Sequence, residues 1–432
     1  AKEYISPDLK LSQVQEEVVV GSLNIVAAFG GLVAGKASDT LGRKPTIALA
    51  CAIFIAGATI MTLSQSFGLL LVGRIVTGVG VGCAMVIGPV YITELAPPEV
   101  RGMLVSMTDI SINLGILLGY ASSLACDTAI DGDSAKWRAM VGFGMLPPAA
   151  ILVCLLLMPE SPRQVPYPPT RRWLVSKGRT REGFAVLSRL LGDDAVARHS
   201  LVEIHRSVRA HDTHESSWRD ILCPSEAAVQ AAVVVGVGLG FWQQASGSEA
   251  AVYYSPEVLR DSGWVGRALL VGNICVGFFK LAGEVVAFFL LDRFGRRPLF
   301  LASSASSTVA LVFVGIAFSL GWGGNATLAW LCVFMFCFSI GLGPVTFVVA
   351  SEIFPLRVRG KAMSIVIFVN RLLSGIIALS YESVANALTA AGSFYMFAAI
   401  SFCSIFFYYF KVPETGGKTL EQITKELEGS TL

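Results

Sequence analysis

Two stretches of the chain resemble each other. Residues 31–45 read GLVAGKASDTLGRKP, and residues 283–298 read GEVVAFFLLDRFGRRP. In each stretch, an apolar run is followed by an acidic residue, a Gly-Arg pair and a proline. This order predicts a short charged turn between two helices. Pro298 follows Pro45 by 253 positions. A match at this distance indicates two tandem copies of one structural unit.

Two further matches recur at nearly the same offset. Residues 94–101 read ELAPPEVR, and residues 352–359 read EIFPLRVR, 258 positions later. The Pro-Glu pair at 159–160 recurs at 413–414, 254 positions later. Parallel repeats of this kind are typical of membrane transporters, whose binding site lies where the two repeats meet.

The composition predicts a membrane protein. Hydrophobic residues make up 54% of the chain and charged residues 15%, which lies outside the usual range of soluble domains. Eleven apolar runs are long enough to cross a hydrocarbon core of about 30 Å. They fall at about 18–37, 46–65, 68–93, 102–125, 138–158, 227–255, 267–291, 298–320, 328–351, 362–386 and 393–411. Since backbone amides in lipid must be satisfied within the segment, we expect an all-α membrane protein.

The repeat predicts the domain organisation. We expect an N-terminal bundle of five helices at 1–158, a linker with short amphipathic helices at 159–226, a six-helix C-terminal bundle at 227–411, and a tail at 412–432. A shift of about 254 positions puts the counterpart of the helix at 227–255 before residue 1. We therefore expect that the first helix of the first half is missing, with eleven helices present of twelve.

Charge fixes the expected orientation and excludes several functions. Lysine and arginine are concentrated in the linker, in the loops on its side and in the tail, so we expect the linker and the C-terminus to be cytoplasmic. The net charge of +2 gives no sign of a nucleic-acid partner. The nine cysteines are scattered without a CxxC pair, so we expect no metal and no cofactor. No nucleophile–base pair is visible, so we expect no enzyme and no catalytic residue.

Several motifs together resemble the sugar porter family of the major facilitator superfamily. They are GRIVTGVGVG at 73–82, PVYITELAP at 89–97, PESPR at 159–163, QQASG at 243–247, GP at 343–344, SEIFP at 351–355 and PET at 413–415. The resemblance covers nearly the whole chain. It implies the major facilitator fold, with two pseudo-symmetric helical bundles, and transport of a sugar or polyol by alternating access.

The resemblance also implies partners and a location. The expected substrate is a small, neutral, polyhydroxylated molecule, and protons are the expected coupling ion, which would make the complete carrier a symporter. We expect a monomer in the plasma membrane, with the vacuolar membrane as the alternative. Within the same class, a facilitative hexose uniporter is the alternative. A non-transporting sugar sensor and a truncated, inactive gene product stay open as well.

Five positions match residues that bind sugar in this family. Gln243, Gln244 and Tyr253 lie near an expected helix break at Ser246-Gly247. Phe347 aligns with a family tryptophan that packs on the sugar, and Asn370 aligns with a polar ligand. Amides beside an aromatic wall suit a sugar, which offers hydroxyls and a flat apolar face.

Three more site positions depart from the hexose carriers. Asp109 stands where they have glutamine, and Glu249 and Lys280 stand where they have asparagine. A charge inside a membrane helix costs at least about 2.5 kcal/mol on insertion scales, so such residues point to function. The trio resembles the polyol and monosaccharide transporters of plants and algae. The alternative is that Asp109 and Lys280 pair only to hold the halves together. Arg371 is a fourth intramembrane charge, for which snorkelling and pairing both stay open.

The resemblance assigns roles to the remaining charges. In proton-coupled relatives an arginine at the position of Arg74 pairs with an aspartate of the first helix, which carries the proton. Matched acid–base pairs at the helix ends on the linker side are expected to form salt bridges that gate the cavity. These are Asp39, Arg43, Glu94, Arg101, Asp292, Arg296, Glu352 and Arg359.

Overall fold

The structure, a computed structural model, describes residues 2–95, 101–158, 218–224, 226–355, 358–418, 422–423 and 426–427. Every long regular element in these ranges is an α-helix. Residues 159–217, which hold most of the predicted linker with its amphipathic helices, lie outside the described residues.

The helices of the first half are α1 (Lys2–Leu9), α2 (Gln13–Leu41), α3 (Arg43–Thr62), α4 (Phe67–Leu95), α5 (Arg101–Ala129), α6 (Asp133–Phe143) and α7 (Leu146–Leu157). Those that follow are α8 (Arg219–Leu222), α9 (Ala227–Ala245), α10 (Ser248–Tyr253), α11 (Ser255–Asp261), α12 (Gly266–Phe294), α13 (Arg296–Ser319), α14 (Gly324–Ile340), α15 (Pro344–Ile353) and α16 (Arg359–Lys411).

The number of membrane crossings agrees with the prediction of eleven. Within the described residues, ten helical segments are long and apolar enough to span a membrane. The last of them, α16, has 53 residues, so at about 1.5 Å per residue it is about 80 Å long. Its backbone leaves the helical region at Thr389, with φ 70° and ψ 162°. Because a hydrocarbon core is only about 30 Å thick, α16 makes two crossings that meet at Thr389.

Three crossings consist of two helices each. The crossing predicted at 138–158 is present over Asp133–Leu157, but it contains a break, because α6 ends at Phe143 and α7 begins at Leu146. Two prolines, Pro147 and Pro148, follow the break; they lack an N–H, so they fit the first turn of a helix and not its interior. The predicted break at Ser246-Gly247 is present between α9 and α10, where Gly247 has φ 85°. A third break, at residues 341–343, separates α14 from α15.

The first membrane helix begins earlier than predicted. The apolar run starts at residue 18, but α2 starts at Gln13. A capping box accounts for the extra turn, since the Ser12 hydroxyl accepts from the Gln15 N–H and the Gln15 side chain accepts from the Ser12 N–H. Such reciprocal bonds satisfy donors that a helix start leaves free.

Successive crossings alternate in direction, which defines two membrane faces. We call the face at which α2 begins the Ser12 face, and the opposite face, where α2 ends, the Gly42 face. Residues 130–132, 254–265 and 320–323 lie at the Ser12 face, whereas Met158, Gly295 and Val412 lie at the Gly42 face.

Among the described residues, the two halves meet mainly along two helix pairs, α2 with α16 and α5 with α12. Near the Ser12 face, the buried Glu17 carboxylate of α2 accepts from the N–H and the hydroxyl of Ser383 on α16, at 2.7 and 2.9 Å. On the other side, the Tyr120 hydroxyl of α5 donates to the Val252 carbonyl of α10 at 2.8 Å. These contacts hold the halves together at the Ser12 face.

Candidate substrate site between the two halves

Glu249 and Arg371 come together from different helices of the second half. Glu249 lies on α10, two residues after the break at Gly247, and Arg371 lies on the first limb of α16. Arg371 Nη1 is 3.6 Å from Glu249 Oε1, and the two side chains are 13% and 16% exposed. Arg371 therefore pairs within the protein. Of the two alternatives that the sequence left open, snorkelling and pairing, the structure shows pairing.

The three amides of the site form one buried cluster around Asn370. The Asn370 Nδ2 donates to Gln243 Oε1 at 2.6 Å, and its Oδ1 accepts from Gln244 Nε2 at 3.1 Å. Arg371 Nε donates to the same Oδ1 at 3.0 Å. Gln243 Nε2 also donates to the Gly343 carbonyl at 2.8 Å, at the break before α15. Asn370 is fully buried and its polar atoms are all bonded, so in this state it positions the two glutamines.

Gln244 keeps an unused hydrogen-bond acceptor. Its Oε1 has no hydrogen-bond partner among the described residues, although the side chain is only 3% exposed. A buried acceptor without a donor costs free energy, about 1–3 kcal/mol by mutational data. A ligand hydroxyl that donates to this oxygen would remove that cost.

Asp109 and Lys280 face each other across the two halves. Asp109 lies on α5 and Lys280 on α12, and both are half-buried. The two groups interact electrostatically, and Arg371 acts on Asp109 as well. No Asp109 oxygen lies within 4.0 Å of Lys280 Nζ, so these two described residues make no contact ion pair in this state. The Lys280 ammonium lies 5.9 Å from the centre of the Phe338 ring.

Tyr253 connects the site to the first half. Its hydroxyl accepts a hydrogen bond of 3.1 Å from Asn24 Nδ2 on α2. Arg74, on α4, interacts electrostatically with Tyr253, and its Nε has no hydrogen-bond partner among the described residues. The arginine that the resemblance assigns to proton coupling therefore lies beside the predicted substrate site.

Phe347 is half-buried on α15, three residues after the proline that begins this helix. Its ring makes no ring–ring or cation–π contact with another described residue, so its place as the aromatic wall stays a prediction. A separate cavity of about 320 Å³ is lined almost entirely by apolar side chains of α9 and of both limbs of α16. That cavity offers few partners to a polyhydroxylated substrate, so the charged region between the halves is the better candidate.

Four polar residues that lie at or beside the site received no site role from the sequence. Asn24, Asn113, Tyr120 and Glu284 all stand within apolar runs, which is the signal that could have found them. Glu284 is the acidic residue among these four, and it is 4% exposed. It interacts with Lys280, which lies one turn away on the same helix, and with Asp109 of α5.

At the Gly42 face, two of the residues predicted to gate the cavity form a salt bridge. Arg296 Nη2 lies 3.0 Å from Glu352 Oε1, and Thr415 Oγ1 donates to Glu352 Oε2 at 2.5 Å. Arg359 donates from Nε to the Phe354 carbonyl at 3.1 Å and interacts electrostatically with Glu352. In the first half, Arg43 is buried and contacts the Ser38 hydroxyl. The structure does not describe the predicted acidic and basic partners Asp39, Glu94, Arg101 and Asp292 at side-chain level.

Glu414 secures the end of the second half. Burial alone would raise the pKa of its carboxyl, but hydrogen bonds from the backbone N–H groups of Arg296, Gly416 and Arg297 outweigh this and hold the pKa below its usual range. Its Oε1 accepts from Arg296 at 2.9 Å and its Oε2 from Arg297 at 3.0 Å. Because these two N–H groups begin α13, the carboxylate also favours the positive end of that helix.

The site is suited to binding hydroxyl groups. Two carboxylates and an amide oxygen accept, and an ammonium, a guanidinium and amide nitrogens donate. Charged partners make hydrogen bonds roughly twice as strong as neutral ones. Among the residues that the structure describes, no three His, Cys, Asp or Glu side chains could hold a metal ion together.

Comparison with known proteins supports this assignment. The profile of the family "Sugar (and other) transporter" matches residues 2–427. Probable polyol transporter 4 of Arabidopsis thaliana is 40% identical over 99% of this chain and 80% of its own length. The major myo-inositol transporter IolT of Bacillus subtilis is 33% identical over 96% of this chain and 87% of its own length.

Solved structures agree with the fold. The proton:xylose symporter XylE bound to 6-bromo-6-deoxy-D-glucose superposes with a TM-score of 0.81 at 25% identity, covering 99% of this chain and 94% of that one. The inward-open conformation of XylE from E. coli gives 0.82, covering 98% and 94%. A family of transporters confirms the expectation that the chain is not an enzyme. The chain therefore belongs to the sugar porter family of the major facilitator superfamily.

Proposed function

We propose that this chain moves a polyol across a membrane by alternating access of the site between its halves. One observation carries the proposal: Asp109, Lys280 and the Glu249–Arg371 pair converge from α5, α10, α12 and α16 on one intramembrane region. Charged groups in a membrane interior are costly, and a cavity that binds a polar solute accounts for them. The six Arabidopsis relatives that carry the name polyol transporter support the choice of substrate class.

The halves supply complementary parts of this site. Asp109 and Arg74 belong to the first half, and the glutamines, Glu249 and Lys280 belong to the second. A substrate that bonds to both halves stabilises the state in which they are close. Rocking of the halves about this point would expose the substrate to one face and then to the other.

Counterflow into liposomes that contain the purified chain tests the substrate class. We expect uptake of labelled sorbitol, with competition by mannitol and myo-inositol stronger than by glucose or xylose. Lys280→Met should lower the apparent affinity at least about tenfold, since loss of a charged hydrogen bond costs about 1.5–3 kcal/mol. Glu226→Gln, an exposed change at the start of α9, is the matched control. Stronger competition by glucose than by any polyol would favour the hexose alternative.

The proposal extends to coupling, orientation and assembly. We infer proton symport, because Arg74 matches the arginine that pairs with a proton-carrying aspartate in proton-coupled relatives, and it lies beside the candidate site at Tyr253. We assign the Gly42 face to the cytoplasm, since positive charge is concentrated on the linker side. The plasma membrane and a monomeric state are proposed on the family resemblance. The Arg296–Glu352 contact acts as part of a gate that opens and closes on that face. Labelling of a cysteine introduced at Asp131, with an impermeant reagent on intact cells, would test the orientation.

A further inference from the structure

Glu284 is a buried carboxylate that none of the assigned roles uses. It lies on α12, one turn after Lys280, and is 4% exposed. Its Oε2 has no hydrogen-bond partner among the described residues. Its Oε1 packs against Gly343, so closely that a Cβ there would lie 2.7 Å from it. An ionised carboxylate that keeps one oxygen buried and unbonded is costly.

The charges around Glu284 do not balance. The facing helix α5 presents Asp109 and Asn113, which both interact with Glu284, and α12 itself presents Lys280. The adjoining α14 approaches with Phe338 and Ser339, and the break before α15 approaches with Gly343; none of these three residues carries a charge.

Arg371 does not supply the missing positive charge. It acts on Asp109, but it is already paired with Glu249 at 3.6 Å. Two carboxylates, Asp109 and Glu284, therefore share one ammonium, that of Lys280. One added proton would make this group of three neutral, and it would also give one of the carboxyls a hydrogen to donate.

A small cavity adjoins the carboxylate. It measures about 10 Å³ and is lined by Ile110, Glu284, Ala287, Phe288, Leu291 and Pro344. About this volume is enough for a single water molecule. Ile110 belongs to the first half and the other five residues to the second. The cavity therefore lies in the interface of α5 with α12, here called the seam, which must open when the halves rock.

We propose that Glu284, together with Asp109 across the seam, is a proton-binding site of the carrier. The pair holds one proton while α5 packs against α12, and it gives the proton to water when the seam opens. This inference rests on the proposed transport function and deepens it by naming a coupling site in the second half. The site is separate from Arg74, which lies on α4 beside Tyr253.

The test uses the full chain in liposomes with an entrapped pH dye. We expect substrate entry by the wild type to carry protons, and its counterflow to change with pH between about 5.5 and 8. Glu284→Gln should keep counterflow at the most favourable pH and lose both the pH dependence and the proton movement. Glu284→Asp, which can still titrate, should restore both, and Glu226→Gln should behave as the wild type.

The outcomes separate the two proposals. Counterflow by Glu284→Gln with an unchanged pH profile and unchanged proton movement would overturn the Glu284 site and leave transport standing. Absence of counterflow by the wild type for every polyol would overturn the proposed function instead.

A second measurement needs neither transport nor a folded variant. Dicyclohexylcarbodiimide reacts with protonated carboxyls in apolar surroundings, and mass spectrometry locates the adduct. Modification of wild-type Glu284 at pH 6 that is lost at pH 9.5 supports the proposal. Lack of modification at both pH values, or equal modification at both, overturns it.

Discussion

Replacing Gly21 by alanine should weaken the closure of the Ser12 face. Gly21 on α2 and Gly375 on α16 pack against each other near the Glu17–Ser383 hydrogen bonds. A Cβ at Gly21 would lie 2.8 Å from the Gly375 carbonyl oxygen and 2.5 Å from Leu379 Cγ. The leucine side chain can rotate away, but the carbonyl belongs to the backbone. Relief of that contact requires the two helices to move apart.

The size of the effect follows from the overlap. A distance of 2.8 Å is about 0.6 Å short of an ordinary contact of 3.4 Å. Overpacking of a close interface costs typically about 1–3 kcal/mol. Only the state in which the helices touch bears this cost, so the population closed at the Ser12 face should fall by about 5–150-fold relative to the open one.

A spin-label distance measurement reports this equilibrium. Labels at Asp131 of the first half and Leu320 of the second, both exposed at the Ser12 face, would be placed in a cysteine-free background. Gly21→Ala should shift the distance distribution towards longer values. Gly35→Ala is the matched control, because it makes the same change in the same helix where no atom of the described residues lies within 4 Å of the new Cβ.

The control separates packing from helix propensity. Alanine favours a helix over glycine by about 1 kcal/mol, and both variants gain this in both states. If Gly21→Ala and Gly35→Ala gave the same distance distribution, the close approach of α2 and α16 would not govern the closed state, and the reasoning would be wrong.

Three further predictions concern single contacts. Glu249→Gln removes the salt-bridge partner of Arg371 and should lower the unfolding free energy in detergent by roughly 3 kcal/mol. The double variant with Arg371→Met should regain most of this loss, and equal losses in the two variants would contradict the pairing. Tyr120→Phe removes the 2.8 Å hydrogen bond to Val252. It should shift the spin-label equilibrium towards the open state by about 2–10-fold. An unchanged distance distribution would mean that this bond does not contribute to closing the Ser12 face. The carboxyl of Glu414 has a pKa that is lower in the folded chain than in the unfolded one, so its stabilisation is present above about pH 4.3 and is lost as the pH falls further. Glu414→Gln should therefore lower the melting temperature at pH 7 and much less at pH 3, and an equal decrease at both pH values would contradict this linkage.

Membrane crossings are predictable here because lipid imposes a simple rule. An apolar run either reaches across the hydrocarbon core or does not, and the charged turns at 42–45 and 295–298 mark where runs end. Breaks inside a crossing depend on local backbone geometry. The Gly247 break could be expected from its family motif, but the break before Leu146 could not be, because a proline pair in an apolar run is also compatible with a kinked helix.

The site was predictable in its positions and not in its contacts. Asp109, Glu249 and Lys280 stand out because a charge in an apolar run is costly. The same rule applies to Glu284. It lies within the repeated stretch 283–298, which the sequence pattern marks only through its charged turn, so that pattern gives Glu284 no role of its own. The partners of Asn370 lie 126 and 127 positions away, at Gln244 and Gln243. Alignment can place Asn370 on a helix, but only packing decides whether it faces the substrate or holds other side chains.

The six-residue helix α10 has a consequence for how such carriers change over evolution. Its Glu249 contributes to the site, while its Val252 and Tyr253 hold the two halves together at one face. A substitution in α10 is therefore expected to alter both substrate recognition and the contacts that join the halves. Lineages that acquire a new substrate through this segment should also change their turnover rate.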